Sequence, residues 1–235
     1  MKYKTLIKKV HLSDSDFSSI KDAVAAAEKR TTGEIALALA PESAHYSFWE
    51  LLAANGLAGI VAVILVPFAS VFHELYQRIY WHNEPSWILP VIYLVSIFAT
   101  VVIGFYLSNI PAIDRLIIPG AIKKECVDHR AMRYFAESGV YQTKENSGIL
   151  IYVSYMERQV RIIADSGISK VISQDLWNII ADELAENLKK GNTTGGFIQA
   201  IEKCGELLAE NFPAHEENPN ELSDGLVILG GQEWF

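Results

Sequence analysis

The sequence is poor in cysteine and carries an excess of negative charge. Two cysteines among 235 residues, Cys126 and Cys204, exclude a disulfide framework and a zinc site built from cysteine pairs. Their isolation predicts free thiols in a reducing compartment. Lysine and arginine number 20 against 28 aspartates and glutamates, and the formal charge of −8 argues against a broad nucleic-acid-binding surface. No nucleic acid partner is therefore expected.

Common catalytic motifs are missing as well. The lysines of "KKGNTTGG" (189–196) precede the glycines and no strand leads into them, so the segment is not a phosphate-binding loop. No G-x-S-x-G nucleophile motif occurs, and the six histidines are scattered without metal-ligand spacing. The N-terminal "MKYKTLIKKVHLSDSDF" lacks the apolar core of a secretory signal. These absences leave carboxylate chemistry or a binding function.

Two long stretches contain no charged side chain. The first, "LLAANGLAGIVAVILVPFASVF", has 22 residues, which reach about 33 Å as a helix and exceed a hydrocarbon core of about 30 Å. The second is "SWILPVIYLVSIFATVVIGFYLSNIPA", and tryptophan and tyrosine flank both stretches, as they do at membrane interfaces. We predict two transmembrane helices, at about 50–72 and 87–109, with the lipid bilayer as a partner.

The segment between the two stretches is too short for a domain, so the helices are expected to form a hairpin with both chain ends on one side. This turn holds one basic residue, Arg78, whereas the region after the second stretch holds five: Arg115, Lys123, Lys124, Arg130 and Arg133. Basic residues accumulate on the cytoplasmic side of a membrane. We therefore expect a two-pass protein of the inner (plasma) membrane whose termini and folded domain are cytoplasmic.

The remaining segments have the pattern of an α/β fold. Apolar periodicity and flanking turn residues predict, in chain order, helix 13–31, strand 33–40, helix 119–139, strands 147–155 and 159–165 as a hairpin, and helices 174–190 and 194–212. The first strand of the hairpin is apolar on both faces, which predicts a central position in the sheet.

The helix and strand before the first apolar stretch are too small to fold alone. We therefore expect one domain, built from 1–46 and 113–213, with the transmembrane hairpin (47–112) inserted after the first strand. An acidic, proline-bearing tail (214–235) is expected to be loose.

Asp165 is the strongest candidate for a catalytic residue. It ends a predicted strand, and open α/β sheets place their sites at the carboxyl ends of the strands. Together with Asp175 it could hold a hard cation such as Ca²⁺ or Mg²⁺, which would polarise a phosphate ester. In the structural alternative, Asp165 caps a short helix from Ser166, and Asp175 lies in the first turn of the next helix, where the dipole favours it. The sequence leaves both interpretations open.

The order of segments resembles the TPM domain family. A capped helix precedes "TTGEIALALA", and "YFAESGVYQTKENSGILIYVSYMERQVRIIADSGI" is followed by "GGFIQAIEKCGELL" and "FPAHEENPNEL". The resemblance covers about 13–43 and 110–222, and 143–168 is its most specific part. It implies an α/β sandwich fold.

Members of this family include thylakoid-lumen proteins linked to photosystem II repair and an accessory subunit of an animal acetylcholine receptor. The resemblance therefore implies an accessory or assembly factor for membrane proteins. Because some members are described as acid phosphatases, sometimes with a bound divalent cation, the alternative is a metal-assisted phosphatase acting on phosphomonoesters. Bacterial relatives often occur beside LemA-type membrane proteins, so the implied partner is a LemA-type protein or another TPM protein.

Overall fold

The computed structural model describes residues 3–80, 85, 87–108, 110–143, 145–214, 222 and 224–230. The chain forms two compact units. One, the sheet unit, comprises Met1–Ala44 and Ala121–Phe235, and the other, the helical unit, comprises His45–Gly120.

Every strand and long helix expected from the sequence is present. The elements, in chain order, are α1 (Tyr3–Lys9), α2 (Asp14–Glu28), β1 (Glu34–Ala40), α3 (Ser47–Leu65), α4 (Ala69–Tyr80), α5 (Ile88–Ser108), α6 (Pro111–Ile117), α7 (Gly120–Glu137), β2 (Gly148–Ser154), β3 (Gln159–Ala164), α8 (Ser166–Ser169), α9 (Gln174–Lys189), α10 (Thr193–Asn211) and β4 (Leu226–Ile228). Short 3₁₀ helices lie at Val66–Phe68 and Val140–Gln142.

The sheet has the strand order β3-β2-β1-β4. β1 pairs in parallel with β2 and β4, and β2 pairs antiparallel with β3. All seven residues of β2 are buried, which confirms its predicted central position. Because β1 and β2 run in the same direction, the sheet has a clear amino edge, where they begin, and a carboxyl edge, where they end.

Apolar side chains cover both faces of the sheet, as an α/β sandwich requires. One cluster packs Ile149 and Ile151 of β2 against α1, α2, α9 and α10, and includes the fully buried Trp177. The other packs Leu150 of β2 against α7, where Ala131 is buried. Each large side chain buried in this way contributes about 1.5–3 kcal/mol to the stability of the fold.

The tail contains a strand that the sequence did not predict. Leu226 pairs with Leu37 and Ile228 with Leu39, and the N–H of Leu229 donates to Leu39 O over 2.9 Å. The expectation of a loose tail is therefore wrong at Leu226–Ile228. Three residues are too few to show an alternating pattern, and β1 supplies the hydrogen bonds that hold them. The rest of that expectation, at 215–221, 223 and 231–235, lies outside the described residues.

In the helical unit, α3 packs against α5. Small residues allow the close approach, since a Cβ added at Gly104 would lie 3.2 Å from the Cβ of Ala54. Pro67 lies in the 3₁₀ segment between α3 and α4, and Tyr93 of α5 donates to the carbonyl of Leu65 over 2.6 Å. Two helical segments are long and apolar enough to cross a membrane by length and composition. They are Ser47–Ile79 (33 residues), which joins α3, the 3₁₀ segment and α4, and Ile88–Ser108 (21 residues), which is α5.

Candidate functional site

Asp165 lies at the amino edge of the sheet. Ala164 pairs with Ile149, near the start of β2, and the N–H of Asp165 donates to the carbonyl of Gly148 over 2.9 Å. The expectation that Asp165 lies where the sheet places its sites, at the carboxyl edge, is therefore wrong. β3 is antiparallel to β2, so it ends where β2 begins.

The carboxylate of Asp165 caps a helix. Its Oδ1 accepts a hydrogen bond of 2.5 Å from the N–H of Ser166, and its carbonyl accepts from the N–H of Ser169. The capping interpretation is thus confirmed. The second oxygen, Oδ2, is buried and has no hydrogen-bond partner among the described residues. A buried carboxylate oxygen of this kind has capacity left for a cation or a donor.

The chain packs tightly beside this cap. A Cβ added at Gly167, in the first turn of α8, would lie 2.6 Å from the carbonyl oxygen of Asn146 and 2.9 Å from that of Glu145. Glycine is therefore required for the loop before β2 to lie against α8. Glu145 in that loop also accepts a hydrogen bond of 2.7 Å from Thr32, before β1.

Asp175 lies in the first turn of α9, as the capping alternative predicted, and it is exposed. Ser173 caps this helix by accepting from the N–H of Asp175 over 3.3 Å. Asp165 is buried and Asp175 is in solvent, so the two carboxylates have different environments. Within the described part of the chain, no three His, Cys, Asp or Glu side chains are grouped as metal ligands. A shared cation at Asp165 and Asp175 stays a prediction.

The amino edge also holds a buried carboxyl group, that of Glu28. Its Oε1 accepts from the N–H of Ile35 over 2.8 Å. Burial raises the pKa of Glu28 to about 8, and the nearby carboxylates of Glu34 and Asp224 act in the same direction. Glu28 is therefore largely protonated at neutral pH. Its role is structural, because it accepts a backbone hydrogen bond at the start of β1.

A buried polar network lies at the opposite, carboxyl edge. The N–H of Ser43 donates to Glu157 Oε1 over 2.8 Å, and the Ser43 hydroxyl donates to that of Ser154, also over 2.8 Å. Ser154 in turn donates to Glu157 Oε2. The Tyr152 hydroxyl is 3.1 Å from Ser43 Oγ and, since the Ser43 proton points to Ser154, it is the donor there. The donors thus form a chain from Tyr152 to the Glu157 carboxylate.

All four residues of this network are buried, and burial raises the pKa of Tyr152 to about 12. The network ties the segment after β1 to the turn between β2 and β3. Two backbone bonds reinforce it: Tyr155 N–H donates to Ala40 O over 2.9 Å, and Met156 N–H donates to Pro41 O over 3.0 Å. The turn is therefore held in one conformation.

Beside this turn, on the face covered by α9 and α10, the carboxyl edge opens into a cavity of about 590 Å³. Binding sites for small molecules commonly have volumes of about 300–1,000 Å³. Leu39 of β1, Val153 of β2 and Phe197 of α10 contribute apolar walls. This is the position at which open α/β sheets bind ligands.

Charged side chains also line the cavity. The ammonium group of Lys9 lies 5.9 Å from the centre of the Tyr155 ring, and Lys189 forms an ion pair of 3.5 Å with Glu186. Arg158 and Asp182 also line the cavity, and neither has an ion pair or a hydrogen bond from its side chain within the described residues.

Both cysteines have free thiols. Cys204 is fully buried in α10, and burial raises the pKa of its thiol to about 12. Cys126 of α7 is partly exposed. Neither residue lines the cavity described above.

Residues 114–207 match the family model of the TPM domain. This segment therefore has the sequence of a TPM domain. The matched segment includes β2, β3, α8 and α9, and therefore contains Arg158, Asp165 and Asp175. The family resemblance found in the sequence is thus confirmed over this segment, while its other parts, 13–43, 110–113 and 208–222, lie outside the match.

A solved structure has a similar fold. The NMR structure of the BA42 protein from the psychrophilic bacterium Bizionia argentinensis superposes with a TM-score of 0.53 at 22% identity, over 93% of this chain and 95% of that one. At this identity the similarity extends to the fold alone. No curated protein matches the chain.

Sequence reasoning missed the residues of the carboxyl edge. Ser43 lies 114 positions from Glu157 and 111 from Ser154, so no local pattern links them. Arg158 was missed as well, although a local signal exists: it occupies a turn position that usually holds glycine, and a long charged residue there is a detectable departure.

Proposed function

We propose that this chain is a membrane-anchored TPM-domain protein that acts as an accessory or assembly factor for membrane protein partners. The observation that carries the proposal is the apolar surface of the helical unit. In the most apolar windows of Ser47–Ile79 and Ile88–Ser108, only 11% and 6% of the residues are buried within the molecule. Apolar surface on this scale needs lipid or another protein to cover it.

The distribution of basic residues supports a two-pass arrangement in the inner membrane, with the TPM domain and both termini in the cytoplasm. The partner that this proposal favours is a LemA-type membrane protein or a second TPM protein. Anchoring would keep the domain at the membrane surface and raise its effective concentration near such a partner.

The orientation can be tested by labelling with a membrane-impermeant maleimide in intact cells. The native Cys204 cannot serve, because it is buried in the folded protein. Lys170 is exposed, so Lys170→Cys in a Cys126→Ser background provides a suitable site. We expect no labelling until the membrane is permeabilised; labelling in intact cells would overturn the cytoplasmic orientation.

The identity of the partner can be tested by photo-crosslinking. Photo-crosslinking from exposed positions of the full chain in native membranes, followed by mass spectrometry, should give a discrete set of membrane proteins. A LemA-type protein or a second TPM protein among them would support the proposal. Crosslinks restricted to lipid, or to soluble proteins, would contradict it.

A second candidate function, a metal-assisted phosphatase, is favoured by one observation: the buried Oδ2 of Asp165 without a partner among the described residues. A carboxylate oxygen suits Ca²⁺ or Mg²⁺, and since no group of three ligand side chains is present in the described part of the chain, backbone carbonyls and water would complete the shell. The full chain in detergent, assayed on p-nitrophenyl phosphate with either ion, should then turn over, and Asp165→Asn should not. Absence of turnover in the unsubstituted protein would exclude this candidate.

A further inference from the structure

Three loops at the carboxyl-edge cavity contain a residue in the left-handed backbone conformation. These residues are His11 (φ 55°), Arg158 (φ 53°) and Gly191 (φ 79°), and all three line the cavity. Among the described residues that are not glycine, Asn146 (φ 52°) is the one further example. A positive φ at a residue other than glycine costs about 1–3 kcal/mol, and residues strained in this way are concentrated at functional sites.

Arg158 is the most informative of the three. It is the last residue of the connection Tyr155–Arg158 between β2 and β3. Hairpin connections of this length often end on a left-handed residue, and glycine is favoured there because it has no Cβ. Arginine at this position destabilises the turn relative to glycine. A binding role for the side chain would account for arginine at this strained position.

The surroundings hold Arg158 in this conformation. The preceding residue, Glu157, is fixed by the buried network with Ser43 and Ser154. The backbone of Met156 is bonded to Pro41. Arg158 is thus presented from a rigid turn, and its exposed guanidinium has no ion pair within the described residues.

The chemistry of the cavity indicates what the guanidinium would bind. Apolar walls suit an apolar body, while Arg158 and Lys9 supply positive charge in a chain whose formal charge is −8. Lys189 adds little, because it is paired with Glu186. Asp182 lines the same cavity without an ion pair and disfavours a ligand with a second negative charge.

We propose that this cavity is a binding site for a small amphipathic monoanion. The guanidinium of Arg158 would form a bidentate ion pair with the carboxylate of the ligand, and Lys9 would add positive charge in the same cavity. The apolar body would lie against Leu39, Val153 and Phe197. This site is distinct from the amino edge and from the membrane-anchoring role, and it does not depend on either.

The test uses the full chain in phosphatidylcholine nanodiscs and the probe 3-(4-fluorophenyl)propionate, followed by ¹⁹F NMR titration. We expect saturable binding, and at least tenfold weaker binding of the neutral isostere 3-(4-fluorophenyl)propanamide. The dianion 4-fluorophenyl phosphate should also bind more weakly than the carboxylate. Binding that is equal for acid and amide, or that never saturates, would overturn the proposal.

Two Arg158 variants and one control variant test whether Arg158 binds the ligand and whether its backbone is strained. Arg158→Gly should weaken binding of the carboxylate at least tenfold while raising the melting temperature, because the strain is removed with the charge. The matched control, Asn146→Gly, relieves the same type of strain away from the cavity and should leave binding unchanged. Arg158→Gln retains a side chain at this position and should lose binding without the gain in melting temperature. Unchanged affinity in both Arg158 variants, or a lower melting temperature for Arg158→Gly, would contradict the assignment.

Discussion

Asp165 and Arg158 lie at opposite ends of one strand: Arg158 precedes the first residue of β3 and Asp165 follows the last. Because β3 is antiparallel to β2, Arg158 is at the carboxyl edge of the sheet and Asp165 at its amino edge. The position expected of a ligand site in an α/β sheet therefore belongs to Arg158. Asp165 caps a short helix through one carboxylate oxygen. Its other carboxylate oxygen has no hydrogen-bond partner among the described residues.

The cap role of Asp165 predicts a graded response to substitution. Asp165→Ala should lower the free energy of unfolding by about 1 kcal/mol, because the N–H of Ser166 loses its acceptor. Asp165→Asn keeps an oxygen in the same position and should cost less. Chemical unfolding in mild detergent measures both. Equal losses in the two variants would show that charge, and not the cap, is the stabilising feature.

The raised pKa of Glu28 predicts that the stability of the protein depends on pH. Its pKa is raised from 4.5 to about 8 by burial, so between these values the folded state keeps a proton that the unfolded state releases. The stabilisation is complete below pH 4.5 and decreases as the pH rises to about 8, by a total on the order of a few kcal/mol. Melting temperatures from pH 5 to 9 should therefore fall more steeply for the native chain than for Glu28→Gln. Parallel curves for the two proteins would contradict this assignment.

The carboxylate of Glu157 holds the β2–β3 turn. Glu157→Ala leaves the N–H of Ser43 and the hydroxyl of Ser154 buried without their acceptor, which should destabilise the protein by about 3 kcal/mol. Glu206 of α10 is exposed, and Glu206→Ala should change stability by less than about 0.5 kcal/mol. If the two variants unfold at the same denaturant concentration, the network has no role in holding the turn.

The thiols should react very differently. Cys126 is partly exposed, whereas burial shields Cys204 and raises its pKa to about 12. A thiol reagent at pH 8 should therefore modify one cysteine in the folded protein and two after denaturation, as counted by mass spectrometry. Rapid modification of Cys204 in the folded protein would mean that α10 is not packed as described.

The sequence was sufficient for the strands and long helices because each has a local pattern. The apolar run of β2 and the stripe of α9 are examples, and both elements begin within one residue of the expected positions. β4 was missed because its three residues show no period, and their pairing with β1 comes from residues 189 positions away, as for Leu37 and Leu226.

The candidate site was less accessible to sequence reasoning, for a geometric reason. Asp165 was placed at a strand end correctly, but the rule for parallel strands does not apply to a strand that returns antiparallel. The Ser43–Glu157 pairing is long-range, and Arg158, the residue in the left-handed conformation, directly follows Glu157. The pairing of Ser43 with Glu157 and Ser154 is a tertiary contact that no short segment encodes.

Extraction of native membranes at alkaline pH tests the central claim, membrane anchoring, most directly. Sodium carbonate releases peripheral proteins and leaves integral ones in the pellet. The exposed apolar helices Ser47–Ile79 and Ile88–Ser108 predict that the full chain stays in the membrane pellet and is released by detergent alone. Recovery of the chain in the carbonate supernatant would contradict the account.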